Sequence, residues 1–219
     1  MMSIDTIEVM PSEGALFKKI LGDEWPKLHS DIRTRFAKNP NPDSPLFYTG
    51  HLSELSCSRF GKLLGFLSMP LIQGALIPYD DSDFPVDIRV YSKRQCMHIF
   101  KQRIYRLHNR KAIQFTSYMK ESEKGEVLEY VGMGFGMKLI LHVEDGNLHF
   151  KSDGYFWDIA GLRIPLPSVF TPGTTYLCHR NNHANQFDIR IEIHHPLFGK
   201  TFTQVGVFKE VTTQPDLSI

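Results

Sequence analysis

The sequence predicts an α+β fold in which N-terminal helices precede a strongly curved antiparallel meander sheet of about eight strands. Three observations predict it. Apolar residues recur at a helical spacing through about residue 70 and alternate singly from Val86 onward. No helical crossover separates the later runs, so parallel pairing has nothing to connect it. Short turn formers join them instead, Asp145-Gly146 between two alternating runs being the clearest hairpin signal. A sheet this long must curl, close or be covered, which suggests a partial barrel, calycin-like or helix-grip-like, with the helices plugging its concave side.

Each element has its own justification. Ser12 is a fair N-cap before Glu13, and Leu16, Phe17, Ile20 and Leu21 share one face; Gly22 suits that helix's end. A second helix is expected from Asp23, carrying Trp25, Leu28, Ile32 and Phe36 near one face. Asn39-Pro40-Asn41-Pro42 stops it. Residues 46–55 suit a short strand, and 57–67 a third helix with Phe60, Leu63, Leu64 and Leu67 on one side. Residues 70–85 form a loop. Strands then follow over 86–91, 97–107, 112–120, 127–133, 136–143, 148–156, 187–194 and 201–209. The cleanest is Phe187–His194, where Phe187, Ile189, Ile191 and Ile193 oppose Asp188, Arg190, Glu192 and His194. The whole chain reads as one domain over 1–219: a helical segment over about 11–70, a sheet over about 86–209 and a loose tail over 212–219.

Composition narrows the function. The chain has 219 residues, 42% hydrophobic and 22% charged, with a net charge of +1. Near-neutrality argues against nucleic acid as a partner, because that affinity is dominated by phosphate neutralisation. Basic residues do gather around His98, from Lys101 and Arg103 to Arg106, Arg110 and Lys111, and read as a solvated outer face. One of these arginines could also hold the anionic head group of a small ligand. The three cysteines are distant from one another and read as reduced, small apolar side chains. The first ten residues lack a secretory pattern, and the most apolar stretch, 60–79, carries too many breakers to span a membrane. A cytoplasmic location follows as the expectation.

Motifs of catalysis are missing. Gly132-Met133-Gly134-Phe135-Gly136 precedes a strand, so no helix N-terminus stands behind it to hold a phosphate, and it reads as a kink or bulge. His194 and His195 are adjacent on a strand and point to opposite faces. His179 and His183 read as polar turn residues. The carboxylates Asp153, Asp158, Asp188 and Glu192 read as surface charge. No metal and no cofactor is expected.

Several blocks together carry a family resemblance: Leu21-Gly22-Asp23-Glu24-Trp25-Pro26-Lys27-Leu28 with Ile32-Arg33, then Phe135-Gly136-Met137-Lys138-Leu139 and Asp145-Gly146-Asn147-Leu148. Gly161-Leu162-Arg163-Ile164-Pro165-Leu166-Pro167 follows, then Phe187-Asp188-Ile189-Arg190-Ile191 and Pro196-Leu197-Phe198-Gly199. In this order they resemble the family catalogued as domain of unknown function 4166, from about Leu16 to Lys209. The family's usual ending, with tyrosine, arginine, glycine and tryptophan, is replaced here by Gln204-Val205-Gly206-Val207-Phe208. The resemblance implies one folded domain and no transferable activity.

Three readings follow. The first is non-catalytic binding of a hydrophobic or lipid-like small molecule between curved sheet and helices, gated by the third helix. Sixteen phenylalanines and eight methionines suit an adaptable interior, and Phe66, Arg103, Tyr105, Phe135, His142, Tyr155 and Trp157 are the candidate ligand contacts. The second is an enzyme whose residues converge only in the fold, with Arg103, Tyr105, His142, Asp158 and His194 as candidates sharing one cleft. The third is a peripheral contact with a membrane surface or another protein through Phe60–Leu67.

Overall fold

A computed structural model describes residues 12–93, 96–182 and 185–218. The helices are α1 (Glu13–Leu21), α2 (Ser30–Ala37) and α3 (Arg59–Ser68). Ser12 caps α1 by accepting from the Ala15 N–H at 3.2 Å, and Gly22 ends it. The second helix starts later than expected. Residues Gly22–Lys27 form a 3-10 turn around Pro26, and α2 begins only after His29.

The described residues form eleven strands where about eight were expected: β1 (Leu46–Cys57), β2 (Phe84–Lys93), β3 (Cys96–Tyr105), β4 (Ile113–Glu121), β5 (Val127–Gly132) and β6 (Phe135–Glu144) come first. The others are β7 (Asn147–Ile159), β8 (Leu162–Leu166), β9 (Thr174–Asn182), β10 (Gln186–His195) and β11 (Gly199–Val211). All pairings are antiparallel. Strands β1 to β6 form a meander, β6 pairs β7, β7 pairs β9, and β11 returns to β1. The sheet is therefore a closed ten-strand barrel rather than a partial one, and closure removes the unpaired edges that a long sheet would expose. The eleventh strand, β8, pairs only the second half of β7, residues Tyr155–Ile159, while the first half pairs β9. Asp145 and Gly146 both have positive φ, 50° and 74°, as a two-residue hairpin between twisted strands demands. Met133 and Gly134 do the same between β5 and β6, so the glycine-rich run is a tight turn.

The helices close the barrel's ends instead of lying along its concavity. At one end, Phe17, Leu21, Leu28, Ile32 and Phe36 pack on inward residues such as Met119, Leu139, Leu148 and Phe150. Phe17 meets Phe36 and Phe150 edge-on at 5.0 and 5.5 Å. We call this the plugged end. At the other, α3 and the loop after it cover the opening. Here α3 departs in part from its expected orientation: its fully buried residues are Gly61 and Gly65, Leu64 packs against the core, and Leu63 and Leu67 stay more than half exposed. A Cβ at Gly61 would lie 2.4 Å from the Thr201 carbonyl oxygen, and one at Gly65 2.9 Å from that of Leu76. Only glycine lets the helix backbone approach so closely.

Candidate functional site: a two-chambered barrel interior

Inward positions alternate along each strand and set what the interior contains. On β4 they are Ile113, Phe115, Ser117 and Met119, all buried. Between the packed plug and α3 the interior is hollow. The larger chamber holds about 360 Å³ and lies beneath α3, Leu71, Ile72 and Phe170. Its walls include Phe115, Val131, Phe135, Tyr155, Ile193 and Phe202. A smaller chamber of about 90 Å³ lies toward the plugged end, against Arg35, Lys101, His179 and Phe187. Arg103, Tyr105, Glu129 and Gln204 line both, so this polar belt is their boundary.

The belt is connected. Ser117 donates its hydroxyl hydrogen to Glu129 Oε1 at 2.8 Å and accepts from Arg103 Nη1 at 3.0 Å. Arg103 also donates to the Lys101 carbonyl at 3.3 Å and lies over the Phe115 ring. Tyr105 hydrogen-bonds Gln204, and its burial pushes the phenol pKa up, so it stays protonated. Nearer the mouth, the Tyr155 hydroxyl meets Thr175 Oγ1 at 2.6 Å, and burial raises its pKa too. Beyond the belt, Lys101 pairs with Glu13 of α1 at 2.7 Å, both side chains largely buried. Arg35 stacks over Phe187, and burial lowers its pKa. His179 is deep in the barrel yet keeps accessible surface, because the small chamber lies against it. Burial, then the neighbouring Arg35, Lys101 and Arg103, holds its pKa well below the usual histidine range, so it is neutral. Arg35 Nη1 and His179 Nδ1 are both buried with no hydrogen-bond partner among the described residues.

Of the expected ligand contacts, Arg103, Tyr105, Phe135 and Tyr155 converge on the cavity. Phe66 lies on the outer face of α3, edge-on to Tyr79. Trp157 stacks on Phe135 at 5.2 Å and donates to the Met133 carbonyl. His142 is exposed on β6 at the plugged end, stacked with His149. The expected enzyme set does not share a cleft: Arg103 and Tyr105 are inside, whereas Asp158 accepts from Tyr130 and His194 lies 3.5 Å from Glu192 on the outer face. Two expectations need correcting. Lys101 and Arg103 point into the barrel, not to a solvated outer face, because they share the phase of Ile99 and Tyr105. His179 belongs to β9 rather than to a turn; His183 lies outside the described residues. The sequence reading missed Arg35, Ser117, Glu129 and Gln204. A usable signal existed in Ser117 between Phe115 and Met119, and in Glu129 between Val127 and Val131: polar side chains in the apolar phase of a strand.

Among the described residues, His142, Glu144 and His149 could hold a metal ion, their ligand atoms lying within 4.8 Å of one another. Cys178 Sγ is 3.6 Å from His149 Nε2. Burial, then the neighbouring His142, lowers the His149 pKa and leaves its ring free to ligate near neutral pH.

The family model for a domain of unknown function, DUF4166, matches residues 28–208, most of the chain. The chain belongs to this family. The DUF4166 match covers every strand of the barrel as far as Phe208, together with the interior belt and α3. No curated protein and no solved structure matches the chain. No helix among the described residues is long and apolar enough to cross a membrane.

Proposed function

We propose that this DUF4166 barrel is a non-catalytic carrier or receptor for an anionic, single-chain amphiphile. The chain of the ligand lies in the larger chamber and its head group reaches the polar belt. The observation that carries this reading is the ~360 Å³ space inside the barrel, within the range of small-molecule sites, walled by apolar side chains and floored by Arg103, Tyr105 and Gln204. A filled core would leave no such volume, because protein interiors pack to crystal-like density. The anionic preference follows from the lining of the small chamber: Arg35, Lys101 and Arg103 face two carboxylates, Glu13 and Glu129, while Lys38 is paired with Glu210. A carboxylate head would satisfy Arg35 Nη1, and neutral His179 could donate one further hydrogen bond to it.

Displacement of a fluorescent anionic probe by long-chain fatty acids, with native mass spectrometry of the purified chain, tests the reading. Val131→Phe intrudes on the larger chamber and should weaken binding about tenfold while leaving stability within about 3 kcal/mol. Arg103→Gln keeps a donor toward Ser117 and removes the charge, so it should weaken a fatty acid about tenfold and a fatty alcohol hardly at all. Fatty acid affinity unchanged by Val131→Phe would place the ligand elsewhere and end the proposal.

A further inference from the structure

The β6–β7 hairpin carries a second polar cluster, on the outer face of the plugged end. Its geometry follows from the turn. Asp145-Gly146 is a two-residue connection, so Glu144 pairs with Asn147 and His142 with His149. Alternation along β6 then puts Glu144 on the same face as His142. That face is the outer one, because Leu141 and Leu148, their chain neighbours, are buried in the plug. Two imidazoles and a carboxylate therefore come together, with ligand atoms all within 4.8 Å of one another and the two rings 4.9 Å apart. Residues before α2 also brace the hairpin. The His29 N–H donates to the Gly146 carbonyl at 2.9 Å, and the Val143 N–H donates to Glu24 Oε2 at 3.3 Å. Donors on paired strands of a closed barrel are held more precisely than donors on a loop.

These donors are not engaged elsewhere. Among the described residues, neither the His142 ring nor the Glu144 carboxylate makes a hydrogen bond or an ion pair. His149 Nε2 meets the Cys178 sulfur, opposite it on β9, at 3.6 Å, and that sulfur lies outside the three-donor cluster. Of the charges that reach the His149 ring, Glu144 and Asp145 are anionic and Arg180 is cationic. Lys151, next on the same face of β7, lies over the Tyr176 ring, 5.7 Å from its centroid. Two imidazoles and one carboxylate with a fourth side open are the donor set of a zinc ion that keeps one bound water. Magnesium and calcium ask for more oxygen ligands than this cluster offers. Bonds of about 2.0–2.2 Å to a tetrahedral ion set its donors about 3.4 Å apart, a closure that rotation of exposed side chains supplies.

We infer that His142, Glu144 and His149 bind a zinc-type divalent ion that clasps β6 to β7 and holds a water at its open position. The site is on the outside of the barrel and is independent of what the interior holds. Its test is calorimetric titration of zinc into the full chain, free of any polyhistidine tag and treated beforehand with chelator. The expected result is one ion per chain with a Kd on the order of 10 μM or tighter. His142→Ala and His149→Ala should each weaken binding about hundredfold, and Glu144→Gln about tenfold. His51→Ala, at an exposed histidine of β1, should leave the affinity unchanged. His142 and Glu144 are exposed, so their variants should keep the melting temperature of the zinc-free chain. Saturating zinc should raise that temperature for the unaltered chain and not for His142→Ala. Binding without fixed stoichiometry, a Kd weaker than about 100 μM, or indifference to all three substitutions overturns the inference. So does a loss of affinity in His51→Ala, which would place the ion elsewhere.

Discussion

The two ends of the barrel are closed by opposite means. At the plugged end, α1 and α2 drive large side chains inward, and Phe17, Phe36 and Phe150 interlock as rings. At the α3 end the helix presents glycines and Leu64 to the barrel and leaves Leu63, Phe66 and Leu67 largely exposed. One end is therefore stabilised by buried apolar volume, and the other is a thin cover over a hollow. The difference teaches that helical apolar periodicity in this chain marks a core face in α1 and α2 and an exposed face in α3.

The comparison breaks most readily at the plug. Phe17→Ala should cost about 3–5 kcal/mol, since Phe17 is fully buried and its neighbours sit on a closed barrel that cannot collapse into the void. Leu67→Ala, removing a comparable apolar side chain at the α3 end, should change stability by less than about 0.5 kcal/mol. Chemical denaturation of both variants measures the contrast. Similar losses would mean that α3 is packed as tightly as the plug.

A middle-sized effect sharpens it at Gly61. In an ordinary exposed helix, Gly→Ala gains about 1 kcal/mol from helix propensity. Here the added methyl would lie 2.4 Å from the Thr201 carbonyl and 2.8 Å from Cys57 Sγ. Gly61→Ala should therefore lose about 1–3 kcal/mol and lift α3, raising hydrogen exchange in residues 59–68 and leaving the amides of α1 protected. A stabilised variant would show that the helix rides further from the barrel than its backbone contact implies.

How much of this was legible in the sequence follows from range. Local signals read correctly: the Ser12 cap, the Asp145-Gly146 hairpin and the alternation of Phe187–His194 all depend on neighbours a few residues away. Strand β9 was hidden because Thr174–Asn182 carries polar residues in both phases, and its inward His179 is tolerated only by surrounding rings and a chamber contributed by distant segments. Strand β8 was hidden because it is short and only Leu166 of its apolar face is even half-buried. Closure itself depends on β11 meeting β1, residues more than a hundred positions apart, which no local pattern encodes. For the site, Arg103, Tyr105, Phe135 and Tyr155 could be read as cavity residues. Arg35 could not, since it reaches the interior from a helix whose apolar face points the same way.

The smallest expected effect probes the polar side of the plugged end. A neutral His179 among Phe36, Phe150 and Phe187 can bind a proton only by placing charge beside Arg35, Lys101 and Arg103. The unfolded chain has no such penalty and takes up the proton near pH 6.5. With the folded pKa lowered, the unfolded state holds more protons below that pH, so the contribution of His179 is fully present above about pH 6.5 and is lost as pH falls toward the folded value. The slope from this group reaches at most about 1.4 kcal/mol per pH unit. His98 and His149, also lowered, act in the same direction. The carboxylates held low by their partners, among them Glu192 held down to about 2 by Lys200 and Arg190, lose their contributions only in more acidic solution. Between about pH 6.5 and 5 the slope is therefore a histidine property, and His179→Gln should flatten it without abolishing it. Urea midpoints measured across that window decide the matter: an unchanged slope would show that His179 reaches solvent through the small chamber, and the plugged end would then be less closed than its ring packing indicates.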